Sequence, residues 1–281
     1  MAPLVWLITG CSSGLGQEFV KQILARGDKV IATARRLESI ESLQNDGAST
    51  LRLDVTDEPE VINKAISEAI GIYGGIDVLV NNAGFIVQGA VEELSQDQLW
   101  AEFNTNFFGT VKVTQAVLPH FRQRRAGALV FVGSLSGWIG HPYVAAYAAS
   151  KFAVEGMAES IKAETEGFGI RTLLVEPGRF RTNLLTLGNL TVTEPKISDY
   201  KEAASSMIQG LAKEDRAQPG NPVKLISVVL DFVRNEGVAE GRPPVFRLPL
   251  GTDCYEEVKK KCEETLENLE ALKDITTSCD F

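Results

Sequence analysis

Six short apolar runs punctuate the first 175 residues of this 281-residue chain. They read LVWLI (4–8), KVIATA (29–34), STLRL (49–53), IDVLV (76–80), ALVFV (128–132) and IRTLLV (170–175). Each is nearly continuous and rich in β-branched residues, as strands buried on both faces are. The stretches between them, about 14–26, 58–72, 97–124 and 146–167, carry helical periodicity. This alternation leaves one economical solution, an α/β doubly wound parallel sheet with helices on both faces and right-handed crossovers.

The pattern changes after Pro177. Residues 184–222 show no clear strand but hold Leu184, Leu185, Leu187, Leu190, Met207, Ile208 and Leu211. A helix is expected near 222–235, a last short strand in PPVFRLPLG (243–251), and a charged helix over 252–273 capped by Asp253 or Thr252. No linker is long enough to divide the chain, so 1–281 reads as a single domain. Within it, 184–222 is a substrate-covering insertion and 252–281 a terminal helix and tail. The net charge of -9 disfavours nucleic acid and anionic membranes as partners. No apolar run is long enough for a membrane span, and no cleaved leader is read from the start of the chain. The four cysteines have neither zinc spacing nor a C-x-x-C pair, which suits thiols in a reducing, cytoplasmic setting. His120 and His141 have no acidic cluster beside them, so no metal is expected.

The first run leads straight into TGCSSGLG, where Gly10, Gly14 and Gly16 open a helix with Ser12, Ser13 and Leu15 between them. Glycines at such a strand–turn–helix junction let backbone N–H groups approach a pyrophosphate at the helix N-terminus. A tight structural turn is the plainer alternative, but the α/β context favours a dinucleotide. The second strand ends in TARR, with Ala34 where an acid for a ribose hydroxyl is expected. Arg35 and Arg36 follow, and a guanidinium suits a 2′-phosphate. This points to NADP(H), with Arg35 the principal contact. The competing reading is a solvated arginine pair.

Two tyrosines precede a lysine by four residues: Tyr147 with Lys151 in YAASK, and Tyr255 with Lys259 in YEEVK. Spacing alone cannot separate them. Tyr147 sits among alanines, and Ser134 lies thirteen residues before it at the end of a strand, where open α/β sheets place ligands. Tyr255 sits among charges. An ammonium on the same helical face makes a phenol more acidic. Tyr147 can then trade a proton with a carbonyl or alcohol while Ser134 bonds the same oxygen.

Gly10-x-x-x-Gly14-x-Gly16, NNAG (81–84), Ser134, YAASK and Pro177-Gly178 together resemble the short-chain dehydrogenase/reductase family over about residues 4–183. The tail RLPLGTD (247–253) resembles its 17β-hydroxysteroid-dehydrogenase-like branch. The resemblance implies a seven-stranded Rossmann-type parallel sheet of order 3-2-1-4-5-6-7. It implies Tyr147 as acid/base, Ser134 as substrate-orienting group, and Lys151 as a ribose contact. Asn106, preferred over Asn104, would hold a relay water. Asp54 would contact adenine, Asn81 would lie behind the cofactor with Ala83 and Gly84 following, and Pro177, Gly178 and Thr182 would meet the nicotinamide end. Ser13 stands where many NADP-preferring members are basic, which leaves the phosphate reading on the arginines. A homodimer or homotetramer through the two long helices after the fourth and fifth strands is implied as well.

Phe85, Val87, Trp138, Ile139 and the leucines of 184–190 are candidate walls for an apolar ketone, aldehyde or alcohol, and His141 is a possible further one. A carbonyl reductase or alcohol dehydrogenase is expected. A non-catalytic dinucleotide sensor, or isomerase or dehydratase chemistry on the same fold, is the alternative.

Overall fold

The computed structural model describes residues 2–186 and 188–281. Leu187, one of the leucines expected over the site, lies outside the described residues. The strands are β1 (Val5–Ile8), β2 (Lys29–Ala34), β3 (Ser49–Arg52), β4 (Val78–Asn81), β5 (Ile86–Gln88), β6 (Gly127–Val132), β7 (Ile170–Pro177), β8 (Leu190–Val192) and β9 (Arg247–Leu250). Seven form one parallel sheet in the order β3-β2-β1-β4-β6-β7-β9. Counted among themselves, these strands follow the expected 3-2-1-4-5-6-7. The remaining pair, β5 and β8, make a separate parallel ribbon in which Ile86 faces Leu190.

The helices are α1 (Gly14–Ala25), α2 (Glu41–Asn45), α3 (Pro59–Tyr73), α4 (Gln96–Phe103), α5 (Thr110–Arg124), α6 (Ala145–Thr165), α7 (Ser198–Glu214), α8 (Pro222–Arg234), α9 (Thr252–Ala271) and α10 (Lys273–Thr277). Side-chain alternation along β1 shows why the sheet is covered twice. Trp6 and Ile8 join Phe19, Ile23, Val229 and Leu230 of α1 and α8 on one face. Val5 and Leu7 join Ile62, Ile66, Val113, Val117 and Val154 of α3, α5 and α6 on the other.

Three expectations need correction. The stretch 97–124 is not one helix, because a π turn at Asn104–Gly109 separates α4 from α5. Extra-residue turns of this kind re-aim side chains within a helix, often at functional sites. The 184–222 segment does contain a strand, β8, which alternation could not reveal in three residues, and it also contains α7. The cap of α9 is Gly251 at φ 106°, a left-handed position suited to glycine. Thr252 is instead the first helical residue, and Asp253 accepts from the Arg179 backbone N–H at 2.7 Å.

One buried carboxylate ties the first strand to the far layer. Asp28 accepts from the Leu4 N–H and the Trp6 indole N–H, each at 2.9 Å, and from the Arg234 guanidinium of α8. Removing one partner of a buried pair strands the other's charge. Asp28→Ala is therefore expected to cost about 3 kcal/mol or more of folding stability, measured as a lower urea midpoint at unchanged slope.

Candidate active site

A cleft of about 490 Å³ opens at the carboxyl ends of β1, β2, β4, β6 and β7. Its upper wall is the loop before α1. Gly10 and Gly14 adopt φ 73° and 58°, which the turn requires. A Cβ on Gly10 would sit 2.8 Å from the Ala83 Cα, and one on Gly16 would sit 2.3 Å from the Gly10 carbonyl. Asn82 fastens this loop by donating to the carbonyls of Thr9 and Gly10 at 2.9 and 3.1 Å. Ser13 occupies the N-cap of α1 without making a side-chain capping bond, and no acid lies in the first turn. The helix therefore turns uncapped N–H groups and its positive end toward the cleft, the arrangement that holds phosphate.

Gly10, Ser12, Ser13, Gly14, Leu15, Arg35, Asp54, Ala83 and Gly84 all line the cleft, as do Pro177, Gly178 and Thr182. Arg35 is on the wall, whereas Arg36, Gly16 and Asn81 are not. Gly16 supports the loop from behind. Asn81 is buried and donates to the Thr114 hydroxyl at 3.0 Å. Asp54 accepts from the Thr56 hydroxyl and N–H at 2.7 and 3.0 Å, which fixes its carboxylate at the edge.

Ser134, Tyr147 and Lys151 share the lower end of the same cleft. Tyr147 is 8% exposed and Tyr255 63%, which separates the two equally spaced pairs. Burial pushes the Tyr147 phenol up to about 12, against a hydrogen bond from Ser134 that acts the other way. Burial likewise brings the Lys151 ammonium down to about 8, opposed by the carboxyls of Glu155 and Glu102. The ammonium donates to the Val132 carbonyl at 2.8 Å and lies 5.6 Å from the Tyr147 ring centre. Ser136, two residues on, supports Ser134. Its N–H donates to the Ser134 hydroxyl at 3.1 Å.

The π turn buries Asn106 rather than Asn104. Its amide bridges both backbone groups of Phe85, each at 3.0 Å, and donates to the Ser150 hydroxyl at 3.1 Å. Ser150 in turn donates to the Tyr147 carbonyl at 2.8 Å. One turn before Asn106, Glu102 is fully buried. Its carboxyl group accepts from the Val87 N–H at 3.2 Å and lies 3.4 Å from the Asn106 amide. Burial pushes this group up to about 8 despite the Val87 N–H and Lys151, which favours its neutral form.

Several expected walls serve elsewhere. Val87 packs with Leu94 and Ala146 in a small core of its own. The Trp138 indole donates to Glu176 at 2.8 Å and stacks on Arg247, while His141 pairs with Glu257 at 3.2 Å. Neither these nor Ile139 line the cleft, whereas Phe85 and Leu184 do. Tyr147 instead joins Ile86, Val144, Leu184, Leu185 and Leu190 in an apolar cluster beneath the β5–β8 ribbon. The RLPLG tail works from behind. Arg247 reaches the buried carboxyls of Glu155 and Glu176, the former at 2.7 Å, and burial raises both.

The model of the short chain dehydrogenase family matches residues 4–190. The chain belongs to that family. It is 36% identical to Oxidoreductase BOA17 of Botryotinia fuckeliana over 265 residues, 92% of this chain and 93% of that one. It is 35% identical to the 3-ketodihydrosphingosine reductase of Bacteroides thetaiotaomicron over 252 residues, 89% of each. A solved short-chain dehydrogenase from Streptomyces avermitilis superimposes at a TM-score of 0.88 with 34% identity over the whole of both chains.

Within this short-chain dehydrogenase, Glu102 and Thr9 were missed from the sequence, and Asn82 was named only as part of NNAG, without its bonds to the glycine loop. Glu102 had a signal. It precedes Asn106 by four residues and so shares its helical face, where an acid among apolar neighbours stands out. The roles of Asn81 and Asn82 could not be separated, because only the register of β4 tells which of the two turns to the loop.

A group whose folded pKa is raised binds its proton more tightly folded than unfolded, so stability is lost as pH climbs from the ordinary value to the raised one. For Glu102 that window runs from the usual carboxylate range to about pH 8. Glu102→Gln keeps an acceptor for Val87 but cannot ionise. Relative to wild type it is expected to gain on the order of 3 kcal/mol between pH 4.5 and 8, read from paired urea titrations at the two pH values.

Proposed function

We propose that this chain is an NADP(H)-dependent oxidoreductase that interconverts an apolar ketone or aldehyde with the matching alcohol. The observation that carries the reading is convergence. The glycine loop, the uncapped start of α1 and Arg35 share one cleft with Ser134, Tyr147 and Lys151. Nicotinamide dinucleotide chemistry supplies the hydride. Everything else falls to the side chains described above.

The loop N–H groups and the N-terminus of α1 hold the pyrophosphate. Arg35 offers a forked donor to a 2′-phosphate, and no acid stands beside it at the end of β2 to favour a bare ribose. Asp54 meets the adenine end, and Thr182 and Gly178 meet the other. Ser134 donates to the carbonyl oxygen of the substrate and orients it. Tyr147 delivers the proton to that oxygen. Its phenol is protonated at neutral pH and so can donate to a carbonyl oxygen. In the oxidative direction the Lys151 ammonium favours the phenolate. Asn106, locked by Phe85 and Ser150, sets the depth of Tyr147 through the backbone of α6. Leu184, Leu185 and Leu190 roof the phenol, so the 184–222 segment selects apolar substrates and closes over them. The ketone reductase named among the relatives supports the same direction.

The test is NADPH and NADH oxidation across a panel of ketones, aldehydes and quinones. Stoichiometric consumption with at least one substrate is expected, and binding without consumption contradicts the reading. Tyr147→Phe is expected to lose about 10²-fold or more in turnover while still binding NADPH in a fluorescence titration. Arg35→Ala is expected to weaken NADPH about 10- to 100-fold, the worth of a charge-assisted bond, with NADH unchanged.

A further inference from the structure

Behind Ser134, Tyr147 and Lys151 lies a second group of charges. Glu155 follows Lys151 by four residues on α6, so the two share one helical face. Its side chain is buried. One carboxyl oxygen accepts from the Arg247 guanidinium of β9 at 2.7 Å. The other, Oε1, is buried without a hydrogen-bond partner among the described residues. Buried polar atoms are seldom left in that state, and each one calls for an explanation.

The surroundings of Oε1 are the turn that carries Ser134. A Cβ on Gly137 would overlap this oxygen, and one on Gly133 would sit 3.2 Å from it. Glycines on either side of Ser134 therefore leave the space that the carboxyl fills. Trp138, the next residue, donates its indole N–H to Glu176 at 2.8 Å, and Glu176 shares the Arg247 guanidinium with Glu155. At the other end of the segment the Val132 carbonyl accepts from Lys151 at 2.8 Å. Docking of β9 accounts for Arg247 and for the oxygen it touches. It does not account for Oε1, or for the glycines around it.

The charges facing Glu155 come from four elements. Lys151 and the exposed Glu159 lie one turn before and one turn after it on α6, Arg247 reaches it from β9, Glu176 from β7, and the buried Cys254 thiol lies near it on α9. Lys151 in turn faces Tyr147 on its own helix and Glu102 from α4. Burial raises the Glu155 carboxyl, and the guanidinium opposes this by favouring the charged form. Of the two acids that oppose the burial of the Lys151 ammonium, Glu155 acts the more strongly.

We propose that Glu155 is a positioning residue of the active site: its carboxylate, seated beneath the Ser134 turn and fixed by Arg247, keeps Lys151 an ammonium. The proposal rests on the roles given to Ser134, Tyr147 and Lys151 in reduction. Reduction needs Tyr147 and Lys151 both protonated. A carboxylate beside the pair delays loss of the first of these protons, and without it that proton leaves at lower pH.

Glu155→Gln tests this, because it keeps the size of the side chain and an acceptor for Arg247 while removing the charge. Circular dichroism checks the fold. The Lys151 amine is titrated by competitive labelling with a small acylating reagent, read by mass spectrometry, with the exposed Lys260 as internal reference. This readout needs no substrate. The pH of half-labelling at Lys151 is expected to fall by about one pH unit in the variant, and the alkaline limb of kcat/KM for NADPH-dependent reduction is expected to fall with it. An unmoved Lys151 in folded Glu155→Gln protein overturns the proposal, and so does a labelling shift with an unmoved limb. If no carbonyl substrate is turned over by the wild type, a labelling shift still supports the hold on Lys151, and the absent turnover counts against the catalytic reading alone. Should Glu155→Gln not fold, Glu176→Gln decides. It too removes a carboxyl from the Arg247 clamp, but it leaves Glu155 in place. Half-labelling of Lys151 held or raised supports the proposal, and a fall overturns it.

Discussion

A single ammonium group joins the two halves of the site. Lys151 is buried where α6 crosses the end of β6, and its bond to the Val132 carbonyl holds the helix against the carboxyl edge of the sheet. Tyr147 lies one turn earlier on that helix, so the same bond places the phenol over the cleft. Ser134 follows Val132 by two residues, so its hydroxyl is set at the cleft by the strand end that anchors the lysine. Moving any one of the three moves the others.

Burying a cation is costly unless charge and dipole are arranged around it. Here the arrangement is layered. Glu155, one turn after Lys151, is clamped by Arg247 from β9, and Glu176 of β7 shares that clamp. Glu102 approaches from the α4 side through Asn106 and Ser150. The sheet, the π turn and the C-terminal strand thus all bear on one residue. Each of these carboxyls is pushed toward its neutral form by burial, which limits how strongly they hold the ammonium charged.

Much of this was legible in the sequence. The doubly wound parallel sheet followed from unbroken β-branched runs and from the alternation with helices, and the strand order from the family resemblance. Ser134, Tyr147 and Lys151 followed from small neighbours around one tyrosine and charged neighbours around the other. What was not legible depends on three dimensions. A π turn has no signature in periodicity, so 97–124 read as one helix. Val87, Trp138 and Ile139 are apolar residues near the site in sequence, and only packing shows that Val87 and Trp138 belong to neighbouring clusters rather than to the cleft. The RLPLG tail read as a branch marker. In space it is the arginine that neutralises two buried acids.

The central claim is that the Tyr147 hydroxyl and the bound dinucleotide meet over the end of β6. A crystal structure of the protein with NADPH measures this directly. The account predicts the hydroxyl within about 4 Å of the reactive carbon of the nicotinamide, so that one carbonyl group can meet the hydride at its carbon and the proton at its oxygen, with the Lys151 ammonium about 3 Å from a ribose oxygen. A nicotinamide ordered elsewhere, with the phenol still sealed beneath Ile86 and Leu190, would contradict it.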